Sequence, residues 1–233
     1  MLMIIFDDDD GSDSDRIQIQ WERCVDYERS FANGSPSICH TSRLLKYLNG
    51  EQMIVGTKGT LEGESAPHGV AVAENIILGT PMHDGHGSCA TCSQMARRST
   101  YMELGGFDER FRRSEDTEFN VRVAKAGGHF IGIAKPLVIQ HMTNTGEKNL
   151  DDELYYQQLL LKTHKDVAEK HGQYEFCKEW LSLKYTWLSR CRTAFFWDMC
   201  KLSLRHPILF LRRAFAGRHN LRANRAYARF HNE

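Results

Sequence analysis

The chain has 233 residues, 41% hydrophobic and 26% charged, with thirty bases balanced by thirty acids. That length suits one domain of ordinary size plus an appendage, and the composition excludes a disordered chain. Seven cysteines, odd in number and irregularly spaced, argue against a disulfide framework and for a reducing, cytoplasmic setting. MLMIIF is too short for a signal peptide and runs straight into aspartates. No apolar stretch approaches the ~20 residues that cross a bilayer. The zero net charge hides a split: residues 1–30 hold nine acids against three arginines, and residues 190–233 hold ten bases against two acids. Such asymmetry suggests a cation site at one end and an anionic partner at the other.

Leu2–Phe6 reads as a short buried strand cut off by charge. Ser12 or Ser14 is expected to cap a helix reaching about Ala32, with Ile17, Trp21, Cys24 and Val25 at helical spacing and Asn33-Gly34 as its stop. Ser37–Thr41, Leu44–Leu48 and Met53–Gly56 read as short strands, the last two joined by an Asn49-Gly50 hairpin turn. Residues 57–88, rich in Gly, Pro and His, form a long loop around a short helix near Ala71–Leu78. Ser88–Met95 is a candidate strand, and Thr100–Leu104 a short helix stopped by Gly105-Gly106. Ser114 is expected to cap a helix from Glu115 to Ala126, closed by Gly127-Gly128. His129–Ile133 and Leu137–His141 complete the strands. Asp151–His171, Tyr174–Cys200 and Pro207–Phe230 then read as three helices. The pattern predicts a mixed α/β body over 1–145 and a helical, basic region over 146–233.

Two clusters carry chemistry. Asp7–Asp10 follow the first strand, and the edge beyond a strand's carboxyl end is where open α/β sheets bind ligands. Alternate aspartates there can hold a hard divalent cation. A calcium hand is excluded, because counting from Gly11 puts Phe6 at the first ligand position and Ile17 where a glutamate is needed. An acidic surface is the plain alternative. The second cluster is GGFDERFRRSEDTEFNVRVAKAGG, residues 105–128, which places Glu115 and Asp116 in the first turn of a helix. Alone, these are an ordinary capping pair.

Together the clusters resemble the glycosyltransferase family 2 enzymes of the GT-A fold. Phe6-Asp7-Asp8-Asp9-Asp10 matches their metal motif after a hydrophobic strand, and Asp13, Arg16 and Gln20 resemble the helix behind it. Gly105, Gly106, Phe107, Asp108, Glu109, Glu115, Asp116 and Arg122 match the acceptor-side motif in order, and Arg97, Arg98 and Ser99 resemble the stretch before it. The resemblance covers about residues 1–145 and implies a partial GT-A domain with a Rossmann-like mixed sheet. It implies a nucleotide-sugar donor, with Mn2+ or Mg2+ on Asp9, Asp7 on the metal or ribose side, and His141 near the metal or diphosphate. Asp116 would be the general base toward a saccharide or lipid-linked acceptor, with inversion, as in surface polysaccharide synthesis, and Glu115 would orient it. Asp84, His86 and Arg122 would border the acceptor. Family members carry roughly a hundred residues before the metal motif, so a nucleotide-binding portion is expected from a missing N-terminal segment or a partner chain. A non-catalytic remnant that binds sugar or a partner is the alternative reading.

His83, His86, Cys89 and Cys92 are zinc-ligand types, but a single Cys-x-x-Cys without a second pair argues against zinc. The basic tail, with Trp187, Phe195, Phe196, Trp197, Phe210, Phe215 and Tyr227 among its arginines, suits an anionic membrane surface, the inner face of the plasma membrane. Arginines with aromatics also suit nucleic acid, for which the chain has no motif.

Overall fold

The computed structural model describes residues 1–142 and 150–217. The chain divides into two units. One takes Met1–Ala73, Met82–Phe111 and the described part of Glu115–Thr143; the other takes Glu74–Pro81, Arg112–Ser114 and the described part of Asn144–Glu233. The expected α/β body followed by helices is therefore seen at the level of class.

In the first unit, β1 (Leu2–Ile4) and β2 (Gly11–Ser12) precede α1 (Arg16–Tyr27), which ends in a π-helical turn at Glu28–Ala32. β3 (Ser37–Tyr47), β4 (Gln52–Val55) and the start of α2 (Val70–Leu78), whose residues from Glu74 belong to the other unit, follow, then a 3-10 turn at Thr91–Ser93, β5 (Gln94–Arg97), α3 (Arg98–Glu103), α4 (Glu115–Lys125) and β6 (His129–Met142). The strands pair in the order β1-β5-β3-β6-β2, with β4 also on β3. β3 and β6 are parallel and every other pair is antiparallel.

One link dominates this topology. β1 and β2 lie at opposite ends of the order, four inter-strand spacings or about 19 Å apart in a flat sheet. Only residues 5–10 join them, and fully extended they reach about 25 Å. The Asp10 N–H donates to the Asp7 carbonyl at 3.3 Å, so a turn uses part of that reach. The link therefore crosses the sheet between the levels of Cys39 and Leu44, and β3 and β6 continue beyond it to Tyr47 and Met142. It is pinned where the Ile5 N–H reaches Gln94 O at the start of β5 and where Asp10 meets β6.

Several expectations are corrected. Leu2–Phe6 is not a buried strand: β1 has three half-buried residues at the sheet edge, and Phe6 is exposed. The inner face of α1 is Arg16, Gln20, Cys24 and Tyr27, while Ile17 and Trp21 are half exposed. Two polar residues occupy the core-facing stripe, so hydrophobic periodicity points to the wrong face. Neither Ser12 nor Ser14 caps α1; instead the Asp13 carboxylate accepts the Asp15 N–H at 3.0 Å. The two expected strands over 37–48 are one strand with a register irregularity at Thr41–Arg43, and β6 runs through Lys135-Pro136 without ending. The Gly127-Gly128 stop is as expected. Gly127 has φ 82°, and Gly128 N–H and Gly127 N–H return to Val123 O and Ala124 O.

A buried polar relay holds α1 to the sheet. Arg16 Nε donates to Gln20 Oε1 at 2.8 Å, and its guanidinium also donates to Ile5 O and lies over the Phe6 ring at 4.8 Å. Gln20 Nε2 donates to Cys39 O on β3 and to Ser93 O before β5. Around it pack Cys24, Tyr27, Ala32, Cys39, Met95 and Ile131. A second relay runs from the Tyr101 hydroxyl to Gln94 Oε1, and from Gln94 Nε2 to His40 and Asn120 at 3.4 Å each.

The second unit is helical: α5 (Leu150–Thr163), α6 (Lys165–Glu169), α7 (Tyr174–Leu188), α8 (Arg192–Arg205) and α9 (Pro207–Gly217). The first two expected helices are each divided in two, at His164 and at Ser189–Cys191, where Arg190 takes φ 58°. Ser189 Oγ donates back to Tyr185 O at 2.5 Å, a local bond that competes with helix continuation. Leu160, Leu161, Phe176, Leu183, Tyr185 and Leu202 are buried here. The remainder of the third expected helix, beyond 217, lies outside the described residues.

Gln20→Leu leaves the Arg16 Nε and two buried carbonyls short of partners. It is expected to cost about 2–3 kcal/mol in urea denaturation, whereas an effect below about 0.5 kcal/mol would deny the relay its role. A pH dependence follows as well. His40 is fully buried and its pKa is pushed down to about 3 by burial, then by Arg43, Lys58 and Arg16. His129 is lowered by burial and by His68. The unfolded chain takes up these protons near pH ~6.5 and the fold resists, so stability is full above that value and declines as pH falls below it. In urea denaturation from about pH 7.5 to about 5.5, wild type should lose stability more steeply than His40→Gln. Parallel profiles would contradict this.

Candidate active site

The acidic link brings Asp7 and Asp10 together with Cys92. One ligand atom from each lies within 4.8 Å of the others, and this is the only His/Cys/Asp/Glu group of metal-binding geometry found among the described residues. The His141 N–H donates to Asp10 Oδ1 at 3.2 Å, while Asp10 Oδ2 is buried without a hydrogen-bond partner. Burial raises the Asp10 carboxyl; the Cys92 thiol and the His141 N–H oppose that, Asp9 adds to it and Arg43 offsets it. Asp7 is raised by burial and then by Asp10, Asp9, Asp8 and Asp116. The Cys92 thiol is pushed up to about 12, chiefly by burial, so it stays protonated beside Asp10.

Asp116, on α4 more than a hundred residues along the chain, lies outside this group but accepts from the Thr91 N–H beside Cys92 and is near enough to raise Asp7. α4 is tied to the segment before β5 by Asn120 Nδ2, which donates to Cys89 O at 2.8 Å. The Asp116 carboxylate accepts from the Thr117 N–H at 2.6 Å and the Thr117 hydroxyl at 3.1 Å. Burial raises it all the same, with Thr117, Arg43 and the Thr91 N–H opposing. The Gly105-Gly106 turn that leads toward α4 is anchored by Phe107 and Tyr101, each packed on Phe119 at about 5 Å between ring centres.

Arg43 and Arg16 are buried and near enough to the acids to interact with them, and Lys58 is a third buried cation. Arg43 points from β3 to Ser88 Oγ at 2.7 Å and to Gln140 Oε1, and Arg16 stacks on the Phe6 ring. Lys58 is buried and donates to Gly85 O at 2.6 Å; burial lowers its pKa. Its loop comes close enough to β6 that a Cβ on Gly132 would meet Lys58 O at 2.1 Å, so glycine is needed at that crossing.

The other expected residues lie as follows. Asp9 is exposed on the turn, near enough to raise Asp7 and Asp10 but outside the ligating group. His141 contributes its backbone, its side chain being exposed. Glu115 is half-buried in the first turn of α4. Asp84 spends its carboxylate on the Thr60 hydroxyl and the Leu61 N–H, which organises the loop. His86 is exposed. Arg122 clamps the glycine turn through Leu104 O and Gly106 O and pairs with Glu118 at 2.7 Å, so its donors serve the fold. The zinc-type residues diverge, with His83 on Glu64 and Cys92 at Asp10. Sequence reasoning missed Asp10, Cys92 and Arg43 as a group. The available signal was a single arginine inside the strand-like run ICHTSRLLKY.

No family model matches the chain, and no curated protein matches it.

The residues fit a divalent cation: two converging carboxylates, one with an orphaned buried oxygen, offer the oxygen donors that Mn2+ or Mg2+ prefers. The same crowding is a stability cost in the free protein. Asp116→Asn keeps the Oδ1 acceptor for Thr117 and removes a charge that burial disfavours. It is expected to raise stability by about 1 kcal/mol in urea denaturation at neutral pH. A loss of that size would mean that the charge is satisfied internally.

Proposed function

We propose that the first unit is part of a GT-A glycosyltransferase domain, and that the chain transfers a sugar from a nucleotide-sugar donor to a saccharide or lipid-linked acceptor with inversion. The observation that supports this reading is that Asp116, bonded by the Thr91 N–H beside Cys92, lies near enough to Asp7 to raise its carboxyl, although the two motifs are far apart in the sequence. Asp7 and Asp10 would hold the divalent cation, with Asp9 alongside on the same turn. When bound, the cation supplies positive charge against the departing diphosphate. Asp116 accepts the proton of the attacking acceptor hydroxyl at its carboxylate. The acceptor oxygen forms its bond to the anomeric carbon as the bond from that carbon to the diphosphate oxygen breaks. Burial makes Asp116 a stronger base than an exposed aspartate, the direction that general-base catalysis near neutral pH requires. Arg43 and Arg16, buried near the acids, limit their mutual repulsion.

Asp116→Asn tests the assignment. Transfer from a panel of nucleotide-sugars with Mn2+ is expected to fall by about 10²–10⁴-fold while nucleotide-sugar binding is retained. Transfer at the wild-type rate would refute Asp116 as the base. Absence of transfer and of nucleotide-sugar hydrolysis in the wild type would favour a non-catalytic binding role.

A further inference from the structure

We infer that α8 and α9 form a surface that lies in the interface of an anionic lipid bilayer. None of the residues of α9 is buried. Ile208 and Leu211 are 66% and 67% exposed one turn apart, and Phe215 follows one further turn along the same side. α8 adds Trp197 and Leu204, 65% and 83% exposed. Single exposed leucines are ordinary, but large apolar side chains repeated along consecutive helices leave stabilisation of about 1.5–3 kcal/mol per residue unrealised in water. Among the described residues no helix is long and apolar enough to cross a membrane. At 14 and 11 residues, α8 and α9 fit the plane of the interface instead.

Charge selects the occupant. Residues 190–217 contain six bases and one acid, Asp198. Arg192, Lys201 and Arg212 are exposed among the apolar residues, and the Lys201 ammonium lies 5.2 Å from the centre of the Trp197 ring. Aliphatic groups and tryptophan interleaved with bases match acyl chains beneath anionic headgroups. Nucleic acid would use stacking rings, and of these five exposed apolar residues only Trp197 and Phe215 offer one. A second copy would bring two basic faces together.

Cosedimentation of the full chain with mixed phosphatidylglycerol/phosphatidylcholine vesicles, against pure phosphatidylcholine vesicles, tests this. Partition is expected to be at least about tenfold stronger on the anionic vesicles and to weaken as salt rises. The double variant Ile208→Asp, Leu211→Asp, with unchanged thermal denaturation because both positions are exposed, should lose at least about tenfold in partition. Arg192→Gln with Arg212→Gln should lose the preference for anionic lipid while keeping the fold. The inference is overturned if wild type ignores both vesicle types, if the double variant binds as wild type does, or if its only effect is to dissociate a dimer. Binding of a single-stranded oligonucleotide without vesicle binding would overturn it too.

Discussion

The buried pair of Arg16 and Gln20, bonded to each other and each to distant carbonyls, ties together parts that are far apart in the sequence. An arginine keeps its charge when buried, so every donor must find an acceptor and every neighbouring dipole must be fixed. Arg16 finds Gln20 and the Ile5 carbonyl, and Gln20 passes the constraint to β3 and to the turn before β5. The start of the acidic link is thus held against α1, and its end is held by the His141 N–H on β6. Between these two fixed points the chain has little slack, so Asp7–Asp10 cross the sheet between β5 and β6.

The acids gathered there are not arranged for the stability of the free protein. Asp7, Asp10 and Asp116 are all raised, each with burial as the largest cause, and one Asp10 oxygen has no partner. Arg43 offsets part of this cost at Asp10 and Asp116. Groups that disfavour their own charge in a partly open site are typical where a ligand supplies what is missing. A cation and a diphosphate together would do so, which is why the proposed chemistry and the electrostatic cost have the same origin.

Much of the architecture could be read from the sequence because it depends on local signals. Asn33-Gly34, Asn49-Gly50 and Gly127-Gly128 end or turn elements as their backbone preferences dictate. What failed depended on long-range pairing. Ile17 and Trp21 looked like a core face, yet the core takes Arg16 and Gln20, whose partners are far away in sequence. Strand breaks expected near Ser42 and Pro136 vanish because β3 and β6 support each other through the irregularity. In the site, Asp7 and Asp116 were legible as motif positions. The choice of Asp10 as Asp7's partner was not, since it depends on how the turn folds back over Cys92.

The most direct measurement is calorimetric titration of inorganic pyrophosphate into the protein with Mn2+ and again with the metal chelated. The account predicts saturable binding that needs Mn2+ and is lost in Asp7→Asn and in Asp10→Asn. Metal-independent binding, or binding that survives the loss of both carboxylates, would contradict the claim that this acidic link is the metal and diphosphate corner of a sugar-transfer site.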